Sequence, residues 1–159
     1  DAHIIGVKRT GESLEAHETI RPADMKARLP ECDVVVFTSP LNNETHHMGN
    51  ADFFASMKEG ATFVNIGRGG LVNEPELIAA LDKGKPGVAI LDVFETEPLP
   101  ETSPLWEHAN VRVTPHSSPK SNGTPLRAQE LFLENLRAFL KAEPLRNEVP
   151  AATIIGSAA

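Results

Sequence analysis

Short apolar runs alternate along this chain with segments in which apolar residues recur at helical spacing. An uninterrupted apolar run is typical of a strand buried on both faces, as in a parallel sheet. The runs that we predict as strands are residues 4–7, 34–37, 62–66, 88–93 and 111–114. The segments that we predict as helices are residues 22–29, 50–57, 74–83 and 124–141.

This alternation predicts an α/β protein with a doubly wound, Rossmann-like parallel sheet built from right-handed crossovers. We expect residues 1–120 to form a partial dinucleotide-binding domain, incomplete at its N-terminal end. We expect residues 121–159 to form a C-terminal helix and a tail that return towards a substrate domain outside this sequence. The longest predicted loop is residues 95–110, and a loop of that length is often functional.

The composition favours a small molecule as the partner. The 15 basic and 22 acidic residues give a formal net charge of -7, whereas nucleic acids and anionic membranes attract clustered Lys and Arg. No apolar stretch approaches the roughly 20 residues of a membrane helix. Because the single Cys32 cannot form an internal disulfide, we expect a reducing, cytoplasmic setting.

Three predicted strands end in side chains that can carry chemistry: Arg68, then Asp92, Glu95 and Glu97, and finally His116. Ligands of open α/β sheets bind at the carboxyl ends of the strands. There an arginine fork can hold a carboxylate, and a histidine oriented by an acid can exchange a proton. Taken singly, Arg68 can also be a surface residue in a glycine turn, Glu97 a solvated acid, and His116 a strand cap.

Several runs resemble consecutive signatures of the D-2-hydroxyacid dehydrogenase family, in the family's order and over nearly the whole chain up to Glu148. They are residues 33–36, 41–50, 64–71, 91–100, 103–106 and 110–116. The resemblance implies that this is the C-terminal part of a nicotinamide-dependent oxidoreductase. It departs from the family at residues 117–120, where the usual small apolar run is replaced by Ser-Ser-Pro-Lys.

The resemblance also implies roles for four of these five strand-end residues. Arg68 would hold the substrate carboxylate and carbonyl, His116 would be the acid/base, and Glu97 would pair with His116. Asp92 resembles the acid that contacts the nicotinamide carboxamide. Glu95 is the nearer competitor for the role of orienting acid, but the family's spacing after Asp92 selects Glu97. Formate dehydrogenases pair the histidine with glutamine, so Glu97 argues against that activity.

On the cofactor side, an acid at the end of the second Rossmann strand selects NAD, whereas a basic residue there accommodates the phosphate of NADP. The run at residues 4–7 ends in Lys8, Arg9 and Thr10, which favours NADP. NAD stays open, since both cations can be ordinary solvated charges. We expect Thr38, Ser39 and Pro40, at the end of the third strand, to lie beside the adenosine. The other residues assigned to the cofactor are Ile66, Gly67, Asp92 and His116.

The function that we predict is reduction of a 2-keto acid, such as glyoxylate or hydroxypyruvate, by a protein that is a homodimer when complete. The alternatives are a dinucleotide-sensing protein like the corepressors of this family, and an inactive remnant. No G-x-G-x-x-G run is present, so we expect the isolated chain to bind dinucleotide poorly. In the strand order 3-2-1-4-5-6, the absent first strand would lie between residues 4–7 and residues 62–66.

Overall fold

The computed structural model describes residues 2–120 and 123–148, and the chain divides into two compact units, Asp1–Thr114 and Pro115–Ala159. The strands, all in the first unit, are β1 Ile5–Val7, β2 Glu18–Ile20, β3 Val34–Phe37, β4 Thr62–Asn65, β5 Val88–Leu91 and β6 Val111–Val113. The helices are α1 Met25–Arg28, α2 Ala51–Ala55 and α3 Glu74–Leu81 in the first unit, and α4 Thr124–Leu140 in the second.

Side-chain caps explain where two of the helices begin. The Asn50 carboxamide accepts a hydrogen bond from the Phe53 amide before α2, and the Asn73 carboxamide accepts one from the Glu76 amide before α3. Such caps satisfy amides that have no partner within the helix. The helix predicted at residues 22–29 is instead broken into α1 and two flanking 3-10 turns, Pro22–Asp24 and Leu29–Glu31.

Every strand pair is parallel, which confirms the predicted α/β class. One sheet has the order β1-β2 and the other the order β3-β4-β5-β6. Because parallel neighbours run in the same direction, the carboxyl ends of β3 to β6 lie at one edge of their sheet. The residues that follow these strands are therefore brought to the same edge.

The strand order corrects two predictions. Sequence reasoning missed β2, which has only one large apolar residue, Ile20, and pairs with β1. It also placed a gap beside residues 62–66, which is wrong because β4 has β3 on one side and β5 on the other. Among the described residues, β3 and β6 are the two edge strands of this four-stranded sheet. In the order 3-2-1-4-5-6 the third strand pairs with the second, but the strand that pairs with β1 is β2. Thr38, Ser39 and Pro40 instead follow β3, which pairs with β4.

The core of the first unit lies where the helices cover the four-stranded sheet. Phe63 of β4 is fully buried, and its ring packs edge-on against Phe37 and Phe54 with centroid separations of 4.9 and 5.2 Å. Edge-to-face aromatic pairs contribute about 0.5–1.5 kcal/mol beyond the area that they bury. Leu77 and Leu81 bring α3 into the same core. This packing fixes β4, whose carboxyl end carries the Arg68 turn.

In the second unit, α4 is held to the segment that follows it. The Asn135 carboxamide donates to the Arg146 carbonyl at 3.0 Å and accepts from the Arg146 amide at 2.9 Å. Part of the predicted C-terminal segment, residues 121–122 and 149–159, lies outside the described residues. Within the described part of the chain, no helix is long and apolar enough to cross a membrane.

Candidate active site

The turn that carries Arg68 is shaped by the buried side chain of Asn65, the last residue of β4. The Asn65 carboxamide donates to the Arg68 carbonyl at 3.0 Å and accepts from the Gly67 amide at 3.1 Å. One neutral side chain thus satisfies both a donor and an acceptor of the turn. Sequence reasoning missed this role, although a polar residue that closes an otherwise apolar strand was a usable signal.

Arg68 itself is exposed, and its backbone is in the extended conformation. One terminal nitrogen of its guanidinium donates to the Gly67 carbonyl at 2.6 Å. A guanidinium carries five N–H donors, so this single contact leaves capacity for a bidentate pairing with a carboxylate. The placement matches the predicted one, at the carboxyl end of a central strand.

Glu97 closes a second turn, after β5. Its Oε1 accepts a hydrogen bond from the Phe94 amide at 3.0 Å, and the residue is exposed. This turn packs directly against the Arg68 turn, because a methyl group built on Gly69 would lie only 1.8 Å from the Phe94 carbonyl oxygen. The structure therefore brings together the two segments that carry Arg68 and Glu97.

Glu95, the competing acid, lies in a different cluster. Its carboxylate contacts the Nε2 atom of His47, and its amide donates to the Glu74 carboxylate at 2.8 Å. Partial burial raises the pKa of the Glu74 carboxyl, and the charge of Glu95 raises it further against the opposing effect of the hydrogen bond from the Glu95 amide. Sequence reasoning missed His47 as the partner of Glu95.

Asp92 is buried, with 2% of its surface exposed, directly after β5. The Thr114 hydroxyl donates to its Oδ1, and the Thr114 amide donates to the Leu91 carbonyl at 2.9 Å. A charge-assisted hydrogen bond of this kind offsets part of the cost of burying a carboxylate. The two contacts also extend the ladder between β5 and β6 by one residue.

His116 belongs to the second unit and is exposed. Its φ of 47° lies in the left-handed region, which is uncommon for a residue other than glycine. Unusual backbone conformations of this kind gather at functional sites. The expected approach of Glu97 to a ring nitrogen of His116 stays a prediction.

The residues assigned to the cofactor lie mostly at the surface of the first unit. Lys8 donates through its ammonium to the Glu12 carbonyl at 2.9 Å, whereas the Arg9 guanidinium, 70% exposed, lies 3.5 Å from the Glu44 carboxylate. Ile66 presents 39% of its surface, Gly67 is buried, and Ser39 is half-buried. The exposed remainder is Thr10, Thr38 and Pro40.

No group of three or more metal-ligating side chains occurs in the part of the chain that the structure describes. His46 and His47 are adjacent in sequence, and their rings stack with the centroids 3.9 Å apart. The chemistry available at the strand ends is therefore that of an arginine, several acids and a histidine.

Residues 1–118 match the family model described as the D-isomer specific 2-hydroxyacid dehydrogenase, NAD binding domain. The chain belongs to this family. The match covers most of the sequence and confirms both the resemblance and the expected class of cofactor, a nicotinamide dinucleotide. Arg68, Glu97 and His116 all lie within the matched residues.

Relatives and solved structures agree with this membership. Glyoxylate/hydroxypyruvate reductase B of Escherichia coli is 39% identical over 144 residues, which are 91% of this chain and 44% of that protein. A D-isomer specific 2-hydroxyacid dehydrogenase from Xanthobacter autotrophicus, solved with NADPH and MES, is 39% identical with a TM-score of 0.85, over 94% of this chain and 61% of that one.

A third comparison is the NADPH-dependent glyoxylate/hydroxypyruvate reductase from Sinorhizobium meliloti, solved with NADP and sulfate. It is 35% identical with a TM-score of 0.82, over 91% of this chain and 47% of that one. The chain therefore spans about half the length of the curated relatives that it matches.

Proposed function

We propose that this chain is the cofactor-binding half of an NAD(P)-dependent dehydrogenase that interconverts 2-keto acids and D-2-hydroxy acids. The observation that carries the proposal is the direct packing of the Arg68 turn against the Glu97 turn at the carboxyl edge of the sheet. This edge is where open α/β sheets bind their ligands. The similarity to two glyoxylate/hydroxypyruvate reductases supports a small substrate such as glyoxylate or hydroxypyruvate.

In the proposed reaction, the Arg68 guanidinium binds the substrate carboxylate and lies close enough to its carbonyl oxygen to stabilise the negative charge that develops there. Protonated His116 donates its proton to that oxygen, and the Glu97 carboxylate orients the ring and stabilises its charged form. A reduced nicotinamide dinucleotide, when bound, would supply the hydride for this reduction. The carbonyl group gains a hydride at its carbon and a proton at its oxygen, so the product is a 2-hydroxy acid.

The residues at the strand ends fit a nicotinamide dinucleotide. Ile66 offers an exposed apolar surface at the end of β4, suited to a flat ring, and Asp92 supplies a buried acceptor at the end of β5. Arg9 follows β1 and keeps most of its guanidinium in solvent. Since a solvent-exposed cation at the end of β1 can pair with a phosphate, we propose that NADP is preferred over NAD.

We also propose that the complete protein is a homodimer in a reducing cytoplasm. Cys32, the single cysteine, is partly buried, and its thiol donates to the Arg28 carbonyl at 3.3 Å. Burial raises the pKa of this thiol, which lowers its reactivity. The relatives named above are reductases and dehydrogenases, which favours catalysis over the role of a dinucleotide-sensing corepressor.

The direct test is to mix the complete protein with NADPH or NADH and each of several 2-keto acids, and to follow the loss of reduced nicotinamide by absorbance. We expect turnover with glyoxylate or hydroxypyruvate and a D-configured product wherever the product is chiral. The Arg68→Ala variant should lose this turnover while it still binds the dinucleotide. Binding of dinucleotide without turnover of any 2-keto acid would instead support a sensor or a remnant.

A further inference from the structure

The Arg68 turn is held between two other segments of the first unit. On one side, the His47 amide donates to the Gly70 carbonyl at 2.8 Å, and the Gly49 amide donates to the Leu71 carbonyl at 2.9 Å. On the other side, Gly69 lies against the Phe94 carbonyl so closely that no side chain fits between them. A displacement of either flanking segment would therefore displace the Arg68 turn.

One side-chain pair joins these two flanking segments to each other. The His47 imidazole, from the segment after β3, contacts the Glu95 carboxylate, from the segment after β5. Both side chains are about one-third exposed, at 34% and 31%. The Glu95 amide is in turn anchored on the Glu74 carboxylate at the beginning of α3. The pair therefore bridges the two sides of the Arg68 turn and connects them to a helix.

Two features suggest that this bridge serves more than stability. Even a fully charged pair stabilises a protein by only about 0–1 kcal/mol when it is partly exposed. Yet His47 adopts a φ of 51°, a left-handed conformation that is costly for a residue with a β-carbon and persists where the surroundings enforce it. The ring of His46 stacks on that of His47. The imidazole is thus held in one place.

We propose that His47 and Glu95 are positioning residues, whose side-chain contact keeps the Arg68 turn and the Glu97 turn in register for substrate binding. This inference rests on the proposed function, and it extends the functional set beyond Arg68, Glu97 and His116. Neither residue touches the substrate. They act through two backbone contacts of the Arg68 turn, that of the Gly70 carbonyl with the His47 amide and that of Gly69 with the Phe94 carbonyl.

The first test compares His47→Asn, Glu95→Gln and the double variant in the complete protein. Asparagine tolerates the left-handed backbone, so the first change removes the imidazole with little added strain. We expect kcat/KM for the 2-keto acid to fall by on the order of tenfold, less than the roughly 100-fold of a 1 Å displacement. The loss should appear chiefly in KM, with dinucleotide affinity unchanged, and the double variant should be no worse than either single variant.

A second measurement does not depend on activity. Hydrogen exchange followed by mass spectrometry should show faster exchange in the peptides that cover residues 46–49 and 67–73 for both single variants. His108→Asn is the matched control, because His108 lies 3.4 Å from Asp82 in a separate histidine–acid pair. It should change neither the exchange of these peptides nor the kinetics. If His47→Asn does not fold, Glu95→Ala removes the same contact from the other side.

The outcomes separate the two proposals. Unchanged exchange in folded His47→Asn or Glu95→Gln overturns the bridge, as do kinetic effects that simply add in the double variant. Faster exchange in a protein that reduces no 2-keto acid supports the bridge and overturns the proposed function. Equal losses of substrate and dinucleotide binding would overturn the bridge, since they would indicate a general weakening of the unit.

Discussion

The Thr114 hydroxyl donates a hydrogen bond to the buried carboxylate of Asp92, and this contact joins the ends of β5 and β6. Removal of the donor takes one hydrogen bond from a buried carboxyl group, and such a loss costs about 1–3 kcal/mol. We therefore expect Thr114→Val to lower the free energy of unfolding by about that amount. Denaturant titration checks this, and Thr114→Ser, which keeps the hydroxyl, should stay close to the parent protein.

Gly69 provides a steric test of the contact between the two turns. Alanine at this position would place a methyl group 1.8 Å from the Phe94 carbonyl oxygen, so the backbone must shift. Overpacking of a protein core typically costs about 1–3 kcal/mol. We expect Gly69→Ala to lower the free energy of unfolding by at least this amount. At Gly70 the nearest atom is the flexible end of Leu41 at 3.0 Å, so Gly70→Ala should be milder. Thermal unfolding of the two variants side by side decides the matter, and equal stabilities would contradict the close packing.

Much of this arrangement was predictable from sequence, because β3 to β6 lie within short, mainly apolar runs and the helix starts at Asn50 and Asn73 have capping side chains. β2 was not predictable by that rule, since its sequence Glu-Thr-Ile has no apolar run. The pairing of His47 with Glu95 was also out of reach, because 48 residues separate them and only the folded sheet brings them together. Periodicity reports which face is buried, not which exposed side chains meet.

His116 is the predicted proton donor, and glutamine in its place keeps hydrogen-bonding groups but cannot exchange a proton near neutral pH. We expect His116→Gln in the complete protein to reduce kcat for a 2-keto acid by about 10²- to 10⁴-fold. Dinucleotide affinity, measured by fluorescence titration, should be unaffected. A parallel loss of dinucleotide affinity would assign His116 to the cofactor instead.

Arg68 is predicted to bind the substrate carboxylate through both arms of its guanidinium. Lysine keeps the charge but loses the planar fork, so Arg68→Lys should mainly raise KM, by about tenfold for the loss of roughly 1.4 kcal/mol. Steady-state kinetics with one 2-keto acid at saturating dinucleotide measures this. An unchanged KM with a lowered kcat would show that Arg68 acts in the transition state alone.

Arg9 tests the cofactor preference. Its guanidinium lies 3.5 Å from the solvent-exposed Glu44 carboxylate. Such an exposed pair is weak, so it opposes movement of the Arg9 side chain towards a phosphate only slightly. If Arg9 binds the phosphate that distinguishes NADP, Arg9→Gln should weaken NADPH binding by about tenfold, or about 1.4 kcal/mol, and leave NADH binding unchanged. Lys26→Gln, at a distant ion pair with Asp52, is a suitable control. Equal effects on both dinucleotides would assign Arg9 to a general electrostatic role.

The contact between Gly69 and the Phe94 carbonyl also bears on how such a site can be redesigned. Because the two turns touch through backbone atoms, neither can be lengthened or exchanged for a loop of another protein without disturbing the other. A graft that aims to change the substrate would need to transplant residues 67–71 and 94–97 together. Variation of single segments is better directed to residues 41–45, which border the turn through the flexible side chain of Leu41.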